Sequence, residues 1–204
     1  MKICYHLYMR SRKFAKKPRE IVVIAHNIRS VFNVGSIFRT SEGFGISRIF
    51  LSGYTPNFEK TFDPDSGEFL KILPHQKIKL IREIHKTALG AEEKVPSKFH
   101  ENLNKLLDDL ANEKYLIVGL EQNSRSVDLA EFAKNIDKIY SQKFTTDAQE
   151  KTQIALILGE EVHGLTEEII NKCDALCEIP MFGEKESFNV SVSCGIALYE
   201  ISTK

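Results

Sequence analysis

Residues 21–51 read IVVIAHNIRSVFNVGSIFRTSEGFGISRIFL, and this stretch predicts the fold of the chain. It opens with IVVIA, a short β-branched run that is typical of a strand buried on both faces of a parallel sheet. A loop over residues 26–33 leads into a helix that Gly43 and Gly45 close, and a second strand follows at residues 47–51. Strand, helix and strand in this order predict a βαβ unit.

Three further apolar runs predict buried strands, at residues 115–120, 154–158 and 175–179. Segments with helical periodicity alternate with the strands, which favours an α/β domain with a mostly parallel sheet and helices on both faces. The helices are predicted at residues 77–90 in part, 99–110, 128–134, 166–171 and 187–201. Residues 53–74 and 141–151 show no sustained period, and we expect a long loop and an exposed excursion there.

Two details of the predicted helices can be tested against a structure. Thr166 stands where an N-cap is expected. Gly195 lies inside the last helix, where glycine costs about 1 kcal/mol relative to alanine. We therefore expect close packing against Gly195.

The charge of the chain is balanced overall but unevenly distributed. The 204 residues are 42% apolar, enough for one domain with a real core. Residues 1–19 hold seven of the 28 basic residues and no acid, which leaves 21 basic against 28 acidic groups, a net of −7, on residues 20–204. This division predicts a basic N-terminal extension followed by one folded domain. The extension is a candidate phosphate contact, and a tail or a targeting segment is an equal alternative.

The sequence does not indicate a membrane protein, a secreted protein or a zinc protein. No apolar run approaches the roughly 18 residues of a transmembrane helix, and no signal-peptide core is present, so we expect a soluble, cytoplasmic protein. Cys4, Cys173, Cys177 and Cys194 lack the spacing of zinc ligands, so reduced thiols and no metal are expected.

The heptapeptide GEEVHGL follows the fourth predicted strand and predicts a ligand site. Gly159 and Gly164 have the spacing of a P-loop, but Leu165 stands where the phosphate-binding lysine is required. Glu160 and Glu161, between the glycines, would repel phosphate. An acidic loop with glycines suits a cationic or neutral ligand, and S-adenosylmethionine, with its sulfonium and ammonium charges, is such a ligand.

Four groups of residues resemble the motifs of the SpoU (TrmH-type) family, the 2′-O-ribose RNA methyltransferases of the SPOUT superfamily, and they occur in the family's order. They are NIRS with NVGSIFRT within residues 27–40, KTALGA at 86–91, LGEEVHGL at 158–165, and IPM with SFNVS within 179–191. The resemblance covers about residues 20–202. Glu160 departs from a small polar residue in the family, and Phe188 departs from leucine.

The resemblance implies a C-terminal trefoil knot, an S-adenosylmethionine site built from the loops of that knot, and a homodimer. Periodicity alone predicts no knot, since threaded chains are rare. The implied activity is methylation of a ribose 2′-hydroxyl in tRNA or rRNA, with RNA contacts expected from the basic extension, from residues 53–74 and across the dimer. A catalytically inactive RNA-binding protein that keeps the knotted fold is the alternative, and a small-molecule methyltransferase is a third hypothesis.

Residue roles also follow from the resemblance. The cofactor-binding residues would be Leu120, Gly159, Ile179, Met181, Ser187 and Phe188, and the catalytic group would be Arg39, Asn33, Glu161 and Asn189. Arg39 matches the catalytic arginine, and its role stays open between proton acceptor and electrostatic clamp, because a guanidinium remains protonated in proteins. Core packing is the alternative for the apolar members, and an ordinary N-cap is the alternative for Ser187.

Overall fold

The fold is organised around one parallel sheet. The computed structural model describes residues 19–63, 65–145, 151–160 and 163–204. In this part of the chain the strands are β1 (Arg19–His26), β2 (Arg48–Ser52), β3 (Lys60–Phe62), β4 (Phe69–Lys71), β5 (Ser97–His100), β6 (Leu116–Leu120), β7 (Val127–Asp128), β8 (Thr152–Leu158) and β9 (Ala175–Glu178). The helices are α1 (Val31–Phe44), α2 (Pro74–Ala88), α3 (Ala91–Lys94), α4 (Leu103–Asn112), α5 (Leu129–Phe144), α6 (Glu167–Ile170) and α7 (Val190–Thr203).

Seven of these strands form the sheet, in the spatial order β5-β2-β1-β8-β6-β9-β7. Every pair of neighbours in it is parallel, which confirms the predicted α/β class. Strands β3 and β4 form a separate antiparallel hairpin. Because parallel strands end at the same edge of a sheet, the loops that follow β1, β2, β6, β8 and β9 gather along one side of the molecule.

The side chains of β1 alternate between two hydrophobic cores, one on each face of the sheet. Ile21, Val23 and Ala25 belong to the first core, and Val22 and Ile24 belong to the second. The first core receives helices α1, α2, α5 and α7, whereas α4 and α6 cover the second. The predicted helices on both faces are therefore present, and the apolar run of β1 is explained by burial on both sides.

The segment after β2 is more regular than the predicted long loop. It contains the hairpin β3–β4, and its first residues form hydrogen bonds with the end of β1 and with the loop that follows it. The Thr55 hydroxyl donates to the Ala25 carbonyl over 2.9 Å and accepts from the Ile28 N–H over 3.0 Å. Gly53 has a φ of 61°, and a Cβ there would lie 1.8 Å from Asn27 Oδ1. Only glycine fits this close approach.

Two predicted helices have different bounds in the structure. Residues 97–100 form strand β5, which pairs with β2, so the predicted helix at 99–110 begins only at Leu103. The short helix predicted at 128–134 is α5, which runs 16 residues to Phe144, so the first part of the predicted excursion is helical. Residues 146–150 of that excursion lie outside the described residues.

The helix ends agree only partly with the predicted caps. Gly45 ends α1 in the left-handed conformation, as expected. Asn189, not Ser187, caps α7, since its side chain accepts from the Ser191 N–H. Thr166 occupies the cap position of α6, but its side chain makes no capping hydrogen bond.

At Gly195 an added Cβ would lie 3.7 Å from Thr40 Cγ2, an ordinary contact, so close packing does not require glycine there.

Arg19 belongs to the sheet and not to the basic extension. It begins β1, is only 4% exposed and forms two hydrogen bonds to the Asp137 carboxylate, of 3.0 and 2.6 Å. The paired guanidinium lowers the pKa of Asp137. The prediction of a phosphate contact is therefore wrong for Arg19. Residues 1–18 lie outside the described residues, and for them the prediction stands untested.

No helix in the described ranges is long and apolar enough to cross a membrane. The thiols of Cys173, Cys177 and Cys194 are unbridged, and burial raises the pKa of each to about 12. Cys4 lies outside the described residues. The trefoil knot stays a prediction that the observed sheet accommodates.

Candidate functional site

A cavity of about 320 Å³ opens at the carboxyl ends of three adjacent strands, β6, β8 and β9. We call it the strand-end cavity. It is lined by Leu120, Glu121, Gln122, Leu158, Gly159, Glu160, His163, Gly164, Cys177, Glu178, Ile179, Glu186, Ser187, Phe188, Val190 and Ser193. Each strand contributes its last residue and the loop that follows, and the start of α7 closes the fourth side.

Within the loop after β8, Gly159 lies close to Gly164 and Leu165. A Cβ at Gly159 would come 3.0 Å from the Gly164 carbonyl carbon and 2.9 Å from Leu165 Cδ2. Gly164 has a φ of 65° and returns toward the strand by an isolated bridge to Glu160. These two glycines, which the sequence singled out, therefore allow the loop to fold back over the end of the sheet.

Glu121 makes contacts at the ends of all three strands. It follows β6 directly, and its N–H donates to the carbonyl of Cys177 in β9 over 2.9 Å. Its carboxylate accepts from the Leu165 N–H over 2.7 Å, in the loop after β8. A Cβ at Gly164 would lie 2.4 Å from the same carboxylate. Burial raises the pKa of Glu121, and its backbone hydrogen bonds only partly oppose this.

The lining residues are acidic. Four carboxyl groups, those of Glu121, Glu160, Glu178 and Glu186, line the cavity, and no lysine or arginine lines it among the described residues. A phosphate group would be repelled in such surroundings, whereas a cation would be stabilised. Glycine backbone and apolar side chains alternate with these carboxylates, as is usual in small-molecule sites. The cavity therefore suits a small ligand that is partly apolar and positively charged.

An ion pair lies at the edge of the cavity toward β1. The Arg29 guanidinium contacts the Glu160 carboxylate at 3.3 Å and lies 5.6 Å from the centroid of the Tyr54 ring. Burial, then the Glu160 carboxylate, raises the pKa of Tyr54. Nearby, His26 Nδ1 is 2.9 Å from Ser52 Oγ, and burial lowers its pKa to about 4. Glu160, which departs from the residue usual in the family motif, therefore forms an ion pair with Arg29.

Five of the six predicted cofactor-binding residues line the strand-end cavity: Leu120, Gly159, Ile179, Ser187 and Phe188. Met181 is half-buried and does not line it. Of the predicted catalytic group, Asn189 donates from Nδ2 to Asn33 Oδ1 over 3.2 Å, which joins α1 to the start of α7.

Arg39 lies exposed on α1 and is not among the lining residues of its own chain. Glu161 lies outside the described residues.

Sequence reasoning missed Glu121 and the pairing of Arg29 with Glu160. A signal for Glu121 was available, because an acidic residue directly after a fully apolar strand stands at the edge where parallel strands place ligand sites. Arg29 and Glu160 are 131 residues apart in the chain, so their pairing had no local signal.

The fold and the strand-end cavity define an α/β protein with its site at the carboxyl edge of the sheet. The chain belongs to the SpoU rRNA Methylase family, whose profile matches residues 20–199. It is 26% identical over 195 residues to a Staphylococcus epidermidis protein assigned to the TrmH family of tRNA/rRNA methyltransferases, covering 95% of this chain and 63% of that protein. A Staphylococcus haemolyticus protein with the same assignment is 25% identical over 190 residues, covering 93% and 61%. The chain therefore spans less than two thirds of the length of these curated relatives.

Solved structures share the fold. The crystal structure of an AdoMet-bound rRNA methyltransferase from Sinorhizobium meliloti superposes with a TM-score of 0.64 at 24% identity, covering 91% of this chain and 57% of that chain. The TrmH/SpoU tRNA modifying enzyme of A. aeolicus gives a TM-score of 0.63 at 23% identity, covering 91% and 76%.

Proposed function

We propose that this chain is an S-adenosylmethionine-dependent methyltransferase that methylates a ribose 2′-hydroxyl in tRNA or rRNA, and that it acts as a homodimer. The observation that carries the proposal is the strand-end cavity, which is acidic, bordered by glycine backbone and built from the family motifs. The names of the relatives, tRNA/rRNA methyltransferases, support the choice of substrate class.

The residues present fit the proposed donor. Leu120, Ile179 and Phe188 offer apolar contacts for an adenosine group, and the backbone around Gly159 offers polar groups for its edges. The four carboxylates complement the charges of the sulfonium and the ammonium groups. A nucleoside triphosphate, with the opposite charge, would not fit.

The chain's own residues would orient the reaction. When bound, S-adenosylmethionine would supply an electrophilic methyl carbon; a neutral thioether would be released as the new carbon–oxygen bond forms, and the proton of the 2′-hydroxyl would pass to solvent. Much of the rate is expected from alignment of the 2′-oxygen with that carbon. Asn33 and Asn189, which bond each other, would hold the ribose side of the site. We propose that Arg39 stabilises the developing alkoxide and the adjacent phosphate, because a planar guanidinium donates paired hydrogen bonds to anionic oxygens.

The homodimer is supported by an apolar face on α1 and α7. Phe32 is 48% exposed, Val192 48% and Tyr199 55%, and all three lie on these two packed helices. Exposed apolar patches of this kind mark protein contacts. A dimer through this face would bring the exposed Arg39 of one protomer to the interface, which accounts for its absence from the cavity of its own chain.

The proposed activity can be tested with labelled S-adenosylmethionine and unmodified tRNA and rRNA. Incorporated label should map to a linkage that resists alkaline hydrolysis, because a 2′-O-methyl group blocks attack of that oxygen on the phosphate. Arg39→Ala should abolish incorporation while calorimetry shows unchanged donor binding, and Arg39→Lys is the charge-preserving control. Label on a base would refute the ribose assignment, and equal turnover of Arg39→Ala and wild type would refute the role of Arg39. A chain that binds RNA but no donor would be the inactive RNA-binding protein.

A further inference from the structure

A second cavity lies between the hairpin β3–β4 and helix α2. We call it the hairpin cavity. Its volume is about 290 Å³, just under the roughly 300 Å³ at which sites for drug-sized ligands begin. It is lined by Tyr54, Thr55, Pro56, Asn57, Lys60, Thr61, Phe62, Ile72, Gln76 and Leu80. A single aromatic heterocycle suits this volume and this mixture of ring, aliphatic and amide side chains.

The walls of the hairpin cavity are held by specific contacts. Asn57 is buried, and its side-chain oxygen accepts from the Glu59 and Lys60 N–H groups over 3.0 and 2.8 Å. The rings of Phe62 and Phe69 lie 5.3 Å apart, and Phe69 lies 5.2 Å from Phe99 in the main sheet. Phe62 is nevertheless 38% exposed, so part of it stays accessible to a ligand.

The hairpin cavity is connected to the strand-end cavity by side-chain contacts. Tyr54 lines the hairpin cavity, and its ring lies 5.6 Å from the Arg29 guanidinium. Arg29 in turn pairs with Glu160, which lines the strand-end cavity. Tyr54, Arg29 and Glu160 therefore form a continuous chain of side-chain contacts between the two cavities.

Helix α2, whose Gln76 and Leu80 line the hairpin cavity, is rich in basic residues within an acidic domain. Residues 71–86 contain five basic residues and one acidic residue, whereas residues 20–204 as a whole carry a net charge of −7. Four of the five, Lys71, Lys77, Lys79 and Arg82, are exposed and form no ion pair with any residue in the described ranges. Lys79 lies three residues after Gln76, and Lys77 lies three residues before Leu80, spacings that make neighbours on a helix surface.

We propose that the hairpin cavity takes one base of a single-stranded segment of the substrate RNA, with the flanking phosphates on Lys77, Lys79 and Arg82. The inference rests on the proposed function and adds a second RNA site on the same edge of the sheet. Single-stranded RNA is bound where bases stack on aromatic side chains and cations follow the backbone. Phe62 and Tyr54 supply the rings, and the Gln76 amide supplies hydrogen bonds to a base edge.

Charge removal with a matched control tests the phosphate contacts. The first triple variant carries Lys77→Gln, Lys79→Gln and Arg82→Gln. The control triple carries Lys98→Gln, Lys134→Gln and Lys138→Gln, and it removes the same charge from exposed residues on β5 and α5. Binding of a fluorescein-labelled oligouridylate is measured against salt concentration. We expect the first triple to weaken binding at least tenfold and to reduce the slope of log affinity against log salt by about 2, since each lost phosphate contact of a single strand contributes about 0.7. The control triple should change neither.

A base-free probe tests occupation of the cavity. Wild type should bind the oligouridylate about tenfold more tightly than an abasic oligoribonucleotide of equal length, since stacking of one base contributes a factor of this order. Phe62→Leu, which keeps an apolar side chain, and Thr61→Trp, which fills the cavity, should each remove that preference. Equal affinity of wild type for the two oligonucleotides would overturn the proposal, as would equal weakening by the two triples.

Two controls separate this inference from the proposed function. Calorimetry with S-adenosylmethionine on the same samples should show the same affinity in wild type and in every variant. A wild type that binds no donor would refute the proposed function, whatever the RNA result. Sedimentation tests another occupant: if the first triple changes the mass of the particle and leaves the RNA affinity intact, the surface is a protein interface and the RNA site is refuted.

Discussion

At the scale of single residues, Glu121 combines a structural contact with a charge in the cavity. Its carboxylate accepts from the Leu165 N–H and also lines the strand-end cavity. Glu121→Gln keeps an acceptor oxygen but removes the charge. We expect about a tenfold loss of affinity for S-adenosylmethionine, near 1.4 kcal/mol, and little change for S-adenosylhomocysteine, which lacks the sulfonium charge. Calorimetry with both ligands measures this difference, and an equal loss for the two would show that Glu121 acts only by holding the loop.

Another single residue, His26, predicts a dependence of stability on pH. Burial lowers its pKa from 6.5 to about 4, so between these values the unfolded chain binds a proton that the folded chain does not. The free energy of unfolding should therefore fall as the pH is lowered through this window, by about 3 kcal/mol in total from this residue. His26→Gln removes the contribution. Denaturant unfolding of both proteins from pH 7 to pH 4 checks it, and parallel curves would contradict it.

At the scale of elements, helix α1 contains two glycines with opposite surroundings. A Cβ at Gly35 would lie 2.1 Å from Thr87 Oγ1 and 2.5 Å from the Ile84 carbonyl oxygen on α2, whereas nothing lies within 4 Å of one at Gly43. Gly35→Ala should therefore destabilise the fold by about 1–3 kcal/mol through overpacking, and Gly43→Ala should stabilise it by up to about 1 kcal/mol. Thermal unfolding of the two variants tests this, and equal shifts would show that the α1–α2 contact is adaptable.

Strands that are buried on both faces were predictable from the sequence, because they are continuous apolar runs. The run IVVIA gave β1 directly, and five of the six cofactor-binding residues predicted from the family resemblance line the cavity at the carboxyl ends of β6, β8 and β9. Strand β5 was not predictable, because Phe99 also fits the leucine periodicity of α4 and only pairing with β2 decides between them. The cluster of basic residues on α2 was missed because the net negative charge of the domain conceals it.

At the scale of the whole molecule, the exposed position of Arg39 predicts a site shared between protomers. Arg39 is exposed and does not line the cavity of its own chain, and its helix α1 and the neighbouring α7 carry exposed apolar side chains. In a dimer through that face, the arginine of one protomer would serve the cavity of its partner. Gly159→Val should displace the loop that borders the cavity and so disrupt the donor site, because a Cβ there would lie 3.0 Å from the Gly164 backbone.

Complementation between two inactive variants tests this arrangement. Arg39→Ala and Gly159→Val homodimers should each be inactive, and mixed dimers from coexpression should regain up to about half of the wild-type activity per dimer. One cavity in each mixed dimer then has an intact donor site from the Arg39→Ala protomer and an intact arginine from the Gly159→Val protomer. Differently tagged subunits allow the mixed dimer to be purified before the methylation assay. If the arginine serves its own cavity, neither cavity of the mixed dimer is complete, and activity stays absent.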